Sequence, residues 1–222
     1  MFEWFCIIIG SFATTEFYGY WLHYLQHSDR IRWLSRRHMH HHLVAYPPAQ
    51  SMRPFKHYKY HTPKQSLLGH GPEWIVPATV LISLSIFIES LILGLSAAQV
   101  TISIITMIVY SYVMFGWLHD IMHIKGHWLR KNRLTRKYMK YTTRLHDIHH
   151  HYIISEGNKE GLLPYNLGIS TPMFDRVFGT YLSHMRGYSR KQIRTGYTAG
   201  LQRYKIDGEN NEDNKEATTT TH

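Results

Sequence analysis

A single cysteine, Cys6, in 222 residues leaves no disulfide framework and no cysteine-based zinc or iron–sulfur site. Basic residues are missing from two long stretches. None of the 25 Lys and Arg precedes Arg30, and none falls between Lys64 and Lys125. The H-E-x-x-H pattern, in which a glutamate base sits beside metal-binding histidines, is also absent. That counts against a zinc-dependent membrane hydrolase. The stretches without bases hold three apolar runs, roughly Phe2 to Leu25, Trp74 to about Leu95, and Ala97 to Trp117. The last two approach the ~20 residues that cross a bilayer. The first is interrupted by Glu16, Tyr18 and Tyr20 and lacks a basic leading segment, so it reads as a retained helix rather than a cleaved signal. Three membrane-associated helices are expected, the last two forming a hairpin around residues 94–98.

The bases cluster where the apolar runs end. Residues 30–64 carry eight, and residues 125–144 carry eight more. With the first helix leaving the membrane on the cytoplasmic side, every basic loop lies inside, in accord with the positive-inside rule. The net charge of +10 then reads as a footprint on anionic lipid headgroups. Nucleic acid is not expected as a partner, because the basic loops flank apolar spans. The expected setting is an integral membrane protein of the endoplasmic reticulum or a bacterial inner membrane.

Histidine is abundant, at 18 residues. Two stretches repeat the spacing H-x-x-H-H: His38, His41, His42, and His146, His149, His150. Each follows a looser i, i+4 pair, His23 with His27 and His119 with His123. Residues i, i+3 and i+4 share a helix face, so each cluster is expected to aim its imidazoles at a common point. All four clusters fall on the cytoplasmic side in the proposed topology. Ten imidazoles exceed the three or four protein ligands of one zinc site and suit two metal ions with about five nitrogens each. Two adjacent redox metals can deliver electrons to dioxygen for C–H oxidation, which no side chain achieves alone. A catalytically silent lipid- or metal-binding protein is the remaining reading.

Other positions carry weaker signals. Glu16 lies two turns before His23 on the same face; it either braces a ligand imidazole or is a hydrogen-bonded carboxyl packed in the span. Glu89 sits in the second run, either packed or part of a lipid tunnel. His57 and His61 repeat the i, i+4 spacing in a connector with Pro54, Pro63 and Pro72, among Lys and Tyr that suit headgroup contact. His127 extends the His119, His123 series past Gly126 and is placed outside the site. Residues 29–45 read as a surface helix stopped at Tyr46-Pro47-Pro48, and residues 128–145 as a basic helix, Trp128 to Arg144. Residues 1–206 form one expected domain. Residues 207–222 are a polar tail expected to be disordered.

The order H-x-x-x-H, H-x-x-H-H, H-x-x-x-H, H-x-x-H-H, followed by Asn166-Leu167-Gly168 and Asp175-Arg176-Val177-Phe178-Gly179-Thr180, resembles the fatty acid hydroxylase superfamily. That group includes sterol desaturases, sterol C-4 methyl oxidases, fatty acid 2-hydroxylases and carotene hydroxylases. The resemblance runs from Glu16 to Tyr181. It implies an all-α membrane enzyme whose helices continue into a cytoplasmic cap holding two iron ions, with zinc a substitute in purified material. It implies His23, His27, His38, His41, His42, His119, His123, His146, His149 and His150 as ligands. It further implies O2 as cosubstrate, a membrane lipid substrate, and a separate electron donor, either cytochrome b5-like or a ferredoxin with its reductase. Gly168-Ile169-Ser170-Thr171 resembles the loop of fatty acid 2-hydroxylases, so a fatty acyl substrate is expected. The Phe174–Thr180 segment resembles the ending of sterol oxidases, so sterol and carotenoid oxidation are the alternatives. Asp175 either braces a ligand histidine from behind or pairs with Arg176 or another base.

Overall fold

The computed structural model describes residues 2–28, 30–48, 50–56, 72–151, 165–184 and 197–203. The His57/His61 pair, the polar loop after His151 and the tail from Asp207 lie outside them. Every regular element among the described residues is helical, and Arg53 and Ile124 add an isolated parallel bridge. The expected all-α architecture is therefore what the chain adopts.

Helix α1, Phe2–His27, runs the length of the molecule. A short α2, Arg32–His40, follows and passes into a π-helical turn, His41–Ala45. Helix α3, Pro72–Leu93, and α4, Ala97–Tyr110, form the expected hairpin. Gly94 takes the left-handed conformation at φ 61°, which a side chain would strain. Ser96 then caps α4: its hydroxyl accepts from Gln99 N, while Gln99 Oε1 accepts from Ser96 N at 2.9 Å. Beyond α4 the chain winds as a π-helix over Ser111–Leu118 and returns to α-helix in α5, His119–Met122. Helix α6 is Arg136–His151, and α7 is Met173–Phe178, ended by a left-handed Gly179. A last helical stretch, 197–203, packs Tyr197 and Leu201 on Met39 and Leu43.

Burial in the long helices is inverted relative to a water-soluble protein. On α1 the buried face begins with Ser11 and Thr15, each 2% exposed, while Phe2, Phe5 and Ile9 are exposed. On α3, Ser85 is buried, while Val80, Phe87, Leu91 and Ile92 are exposed. On α4, Ser103 is buried beneath exposed Ile105, Ile108 and Val109. A solvent that accepts apolar side chains explains this pattern, and water does not. The stretches Ile75–Leu93 and Ala97–Met122 are both long and apolar enough to cross a bilayer. The chain is a membrane protein.

Two expectations need correction. Of the three spans expected, only the second and third meet that criterion of length and composition. Helix α1 is long enough, but its second half buries Glu16, His23, Gln26 and His27 inside the protein. The continuous basic helix from Trp128 is broken as well. A 3-10 turn, Trp128–Arg130, comes first. Asn132 Oδ1 then accepts from Leu134 N at 2.9 Å, a local turn that competes with helix. Regular helix resumes only when Arg136 N reaches Asn132 O.

Helix α1 meets the π-helical segment at Gly19. A Cβ built there lies 2.3 Å from the Phe115 ring. Gly19→Ala should cost about 1–3 kcal/mol by forcing that ring aside. In a Phe115→Ala background the same substitution should cost almost nothing. Thermal unfolding in detergent of the four proteins of this cycle checks it; an equal loss in both backgrounds would refute the contact as the cause.

Candidate metal centre

The ten histidines come from four helices and one π-turn and converge in the cap. His23, His27, His38, His42 and His149 form one group, all buried, with one ring nitrogen from each within 4.8 Å of every other. His41, His119, His123 and His146 form a second group on the same criterion. His150 stacks on His42 with ring centroids 4.1 Å apart and also approaches His123 and His146, at 4.8 and 4.7 Å. It stands between the groups, nearest the second by number of neighbours.

The expectation that each cluster serves one point is wrong for both H-x-x-H-H stretches. His38 and His42 turn to the first group and His41 to the second. His149 turns to the first and His146 to the second. The reason is helical phase: three residues fall ~60° short of a turn and four overshoot by ~40°, so i+3 and i+4 straddle residue i. The two pairs at i, i+4 are not split. His23 with His27, and His119 with His123, each stay within one group.

Tautomers are set by backbone carbonyls. Nδ1 of His23 lies 2.6 Å from Leu167 O, His123 Nδ1 2.6 Å from Ser51 O, His149 Nδ1 3.0 Å from Tyr165 O, and His150 Nδ1 3.0 Å from Tyr46 O. A carbonyl only accepts, so each Nδ1 is the protonated nitrogen and each Nε2 presents a bare lone pair. The Nε2 atoms of His23, His123 and His149 face other imidazole nitrogens. His38 Nε2 lies 3.0 Å from His23 Nε2, 2.9 Å from His27 Nε2 and 3.0 Å from His42 Nε2. His149 Nε2 is 3.2 Å from His42 Nε2, and His146 Nε2 is 3.1 Å from His123 Nε2. His41 Nε2, His42 Nδ1 and His150 Nε2 are buried without a hydrogen-bond partner among the described residues.

One proton on His38 Nε2 satisfies one of its three neighbours, not all. Converging lone pairs need a cation. Imidazole–metal bonds of about 2.1 Å at right angles place their nitrogens about 3.0 Å apart, which is the spacing found. Burial pushes the pKa values of His38, His41, His42, His123, His146, His149 and His150 well below the usual imidazole value, so they are neutral, the form that binds metal. The donor set, all nitrogen with no thiolate, suits iron, zinc, copper or nickel rather than calcium or magnesium.

Among the described residues neither Glu16 nor Asp175 hydrogen-bonds a histidine. Glu16 accepts from Tyr110 Oη at 2.7 Å, from Thr171 Oγ1 at 2.9 Å and from Ser170 Oγ. Asp175 accepts from Leu167 N at 2.7 Å, Gly168 N at 2.9 Å and Thr180 Oγ1 at 2.7 Å. Both act one step back, on the loop whose Leu167 carbonyl holds His23. Asp175 forms no salt bridge with Arg176, whose guanidinium lies over the Tyr181 ring at 4.7 Å. Glu89 accepts from Thr14 Oγ1 at 3.1 Å. His127 stands apart from both groups and accepts from Leu129 N to cap the 3-10 turn. Ser170 and Thr171 fall in the loop that the resemblance marks, but Tyr110 and the carbonyls of Tyr46, Ser51 and Tyr165 carry no sequence signal that singles them out.

An apolar cleft adjoins the site, with a cavity of about 190 Å³. Thr15, Tyr18, Gly19 and Leu22 line it from α1, over about the two turns that precede His23, facing Ile75, Thr79 and Ile82 of α3 and Tyr112 and Phe115 of the π-helical segment.

Asp175→Ala removes three acceptor contacts from a fully buried site and should cost about 2–4 kcal/mol. It should also lower bound metal, because Leu167 no longer holds His23. Arg176→Ala should leave both unchanged. Unfolding curves with elemental analysis check the pair; normal metal content in Asp175→Ala would break the link through Leu167.

Comparison with known proteins agrees with the geometry. No curated protein and no solved structure is similar enough to match. The family model described as fatty acid hydroxylase matches residues 8–180, which include all ten histidines, the Leu167 loop and Asp175. The chain belongs to the fatty acid hydroxylase family, and with it to the hydroxylase and desaturase type of oxygenase.

Proposed function

We propose that the chain is a membrane non-haem di-iron oxygenase that hydroxylates or desaturates a C–H bond of a fatty acyl lipid, using O2 and electrons from a separate donor protein. The observation that carries this reading is the convergence of imidazole Nε2 atoms at about 3 Å in two adjoining groups, with those of His23, His123 and His149 bare. His23, His27, His38, His42 and His149 would hold one iron; His41, His119, His123, His146 and His150 would hold the other. Two irons supply, when bound, the electrons and the oxygen activation that C–H oxidation requires.

The chain's own groups do the rest. The carbonyls of Leu167, Ser51, Tyr165 and Tyr46 keep the Nδ1 protons in place, so Nε2 stays free to coordinate. Burial keeps His38, His42, His146, His149 and His150 neutral. The cleft between α1, α3 and the π-helical segment takes an acyl chain from the bilayer and leads it toward His23. The basic helix α6 and the segment before it lie on the cytoplasmic face, beside anionic headgroups. Support for an oxygenase over a zinc-dependent hydrolase comes from the ligand groups, which among the described residues are all imidazole.

Metal analysis of purified protein should find about two irons per chain. His149→Ala should abolish activity and lower bound iron, because His149 belongs to the first group and meets His42 at 3.2 Å. Lipid extracts from cells with and without the protein should differ by an acyl species that has gained one oxygen or lost two hydrogens. Full turnover of His149→Ala with one iron missing would sink the dinuclear assignment.

A further inference from the structure

Below the apolar cleft lies a second cavity, of about 340 Å³, between α1 and α3 and wide open at the surface of the helices. Its lining differs in kind. Thr14, Tyr18, Ser85 and Glu89 bring four polar side chains to it, beside Phe17 and Ile88. Glu89 belongs to the apolar stretch Ile75–Leu93, where a carboxyl group is costly unless it has a partner or a task. Its neighbours answer only part of its hydrogen-bonding capacity. Thr14 Oγ1 donates to Oε1 at 3.1 Å. Ser85 donates to Leu81 O at 2.8 Å, so the hydroxyl proton of Tyr18 is the one spent on Ser85. The second oxygen of Glu89 receives no hydrogen bond among the described residues, although a carboxylate accepts about four.

Position gives this cavity a meaning. Tyr18 lines both cavities, so they adjoin. From Thr14 to His23 is nine residues of continuous α1, about 14 Å. A polar cavity, an apolar cleft and the first histidine group thus succeed one another along one helix. Ile88, which lines the polar cavity, and neighbouring Phe87 are exposed on the surface that faces lipid, so a lipid can enter sideways.

We propose that this cavity binds the hydroxyl group of a long-chain lipid alcohol, which donates to the second oxygen of Glu89. The chain lies in the apolar cleft and presents a carbon some three helical turns away to the histidine groups. The pair of cavities then acts as a ruler: the hydroxyl fixes one end, and the length of α1 fixes which carbon reaches the metal. This inference names a substrate class for the proposed oxygenase and rests on that reading.

Binding tests it without turnover. Tritiated dodecanol is bound to the full chain in nanodiscs, with unlabelled dodecanol or dodecyl methyl ether as competitor. The ether matches the chain but has no proton to donate. One hydrogen bond that the ether cannot make should render dodecanol about tenfold the better competitor. Glu89→Leu should bring that ratio to about one, and Glu89→Gln, which keeps one carbonyl acceptor, should leave it between the two. Should Glu89→Leu fail to fold, the wild-type and Glu89→Gln ratios decide. Equal competition in the wild type, or an unchanged ratio in the variants, overturns the hydroxyl site and leaves the oxygenase reading standing. A tenfold preference in a protein that oxidises no lipid keeps the site and removes the oxygenase.

Discussion

Buried lone pairs of imidazole cannot face each other without a positive charge between them, and much of the cap follows from that. Each bare Nε2 is bare because a carbonyl holds the proton on the opposite nitrogen. The carbonyls in turn come from segments with little regular structure: Tyr46 and Ser51 after the first π-turn, Tyr165 and Leu167 before α7. Orienting four rings by side chains would need four more buried polar groups, each requiring partners of its own. Backbone carbonyls are already present and rigid once the loop is fixed. Fixing the loop is the task of Glu16, which accepts from Ser170 and Thr171 as well as from Tyr110, and of Asp175, which accepts from Leu167, Gly168 and Thr180. A cation held by such an array would bind the ordered cap and not the unfolded chain, and would stabilise the cap by that difference.

The membrane half obeys the opposite rule. Lipid tails accept apolar side chains as readily as a core does, so burial there has little to gain from leucine. The helices instead turn their small and polar residues inward: Ser11 and Thr15 of α1, Ser85 of α3, Ser103 of α4. Gly19 allows α1 to approach the Phe115 ring closely enough to bring His23 and His27 within reach of the other helices. Close packing in the bilayer and ligand convergence in the cap are thus two ends of the same helix.

Much of this was legible in the residues. The ten histidines are visible because coordination demands particular side chains, and helical periodicity restricts their spacing. The hairpin is visible because Gly94 and Ser96 carry local turn and cap chemistry. Bases and spans are visible because a bilayer sorts charge. Three things were hidden. The division of each H-x-x-H-H between two groups depends on rotational phase, which the π-helical turn at His41–Ala45 also shifts. The carbonyls that orient the rings belong to the backbone, which every residue has. The partners of Glu16 lie 94 to 155 residues away in the chain, so of its two readings the hydrogen-bonded carboxyl could not be given its partners from spacing.

The break in α6 shows the same limit from another side. Helix propensity and charge along residues 128–145 favour a continuous helix, yet Asn132 diverts its start to Arg136. Starting later fixes the phase of everything that follows. With Arg136 as the first residue, Met139 is buried against Leu129, Phe115 and Ile169, and that packing fixes the rotation of α6. His146, His149 and His150 then face inward together, while Lys140 and Arg144 remain outside. A local turn of three residues therefore decides where the second H-x-x-H-H points, although it contributes no ligand.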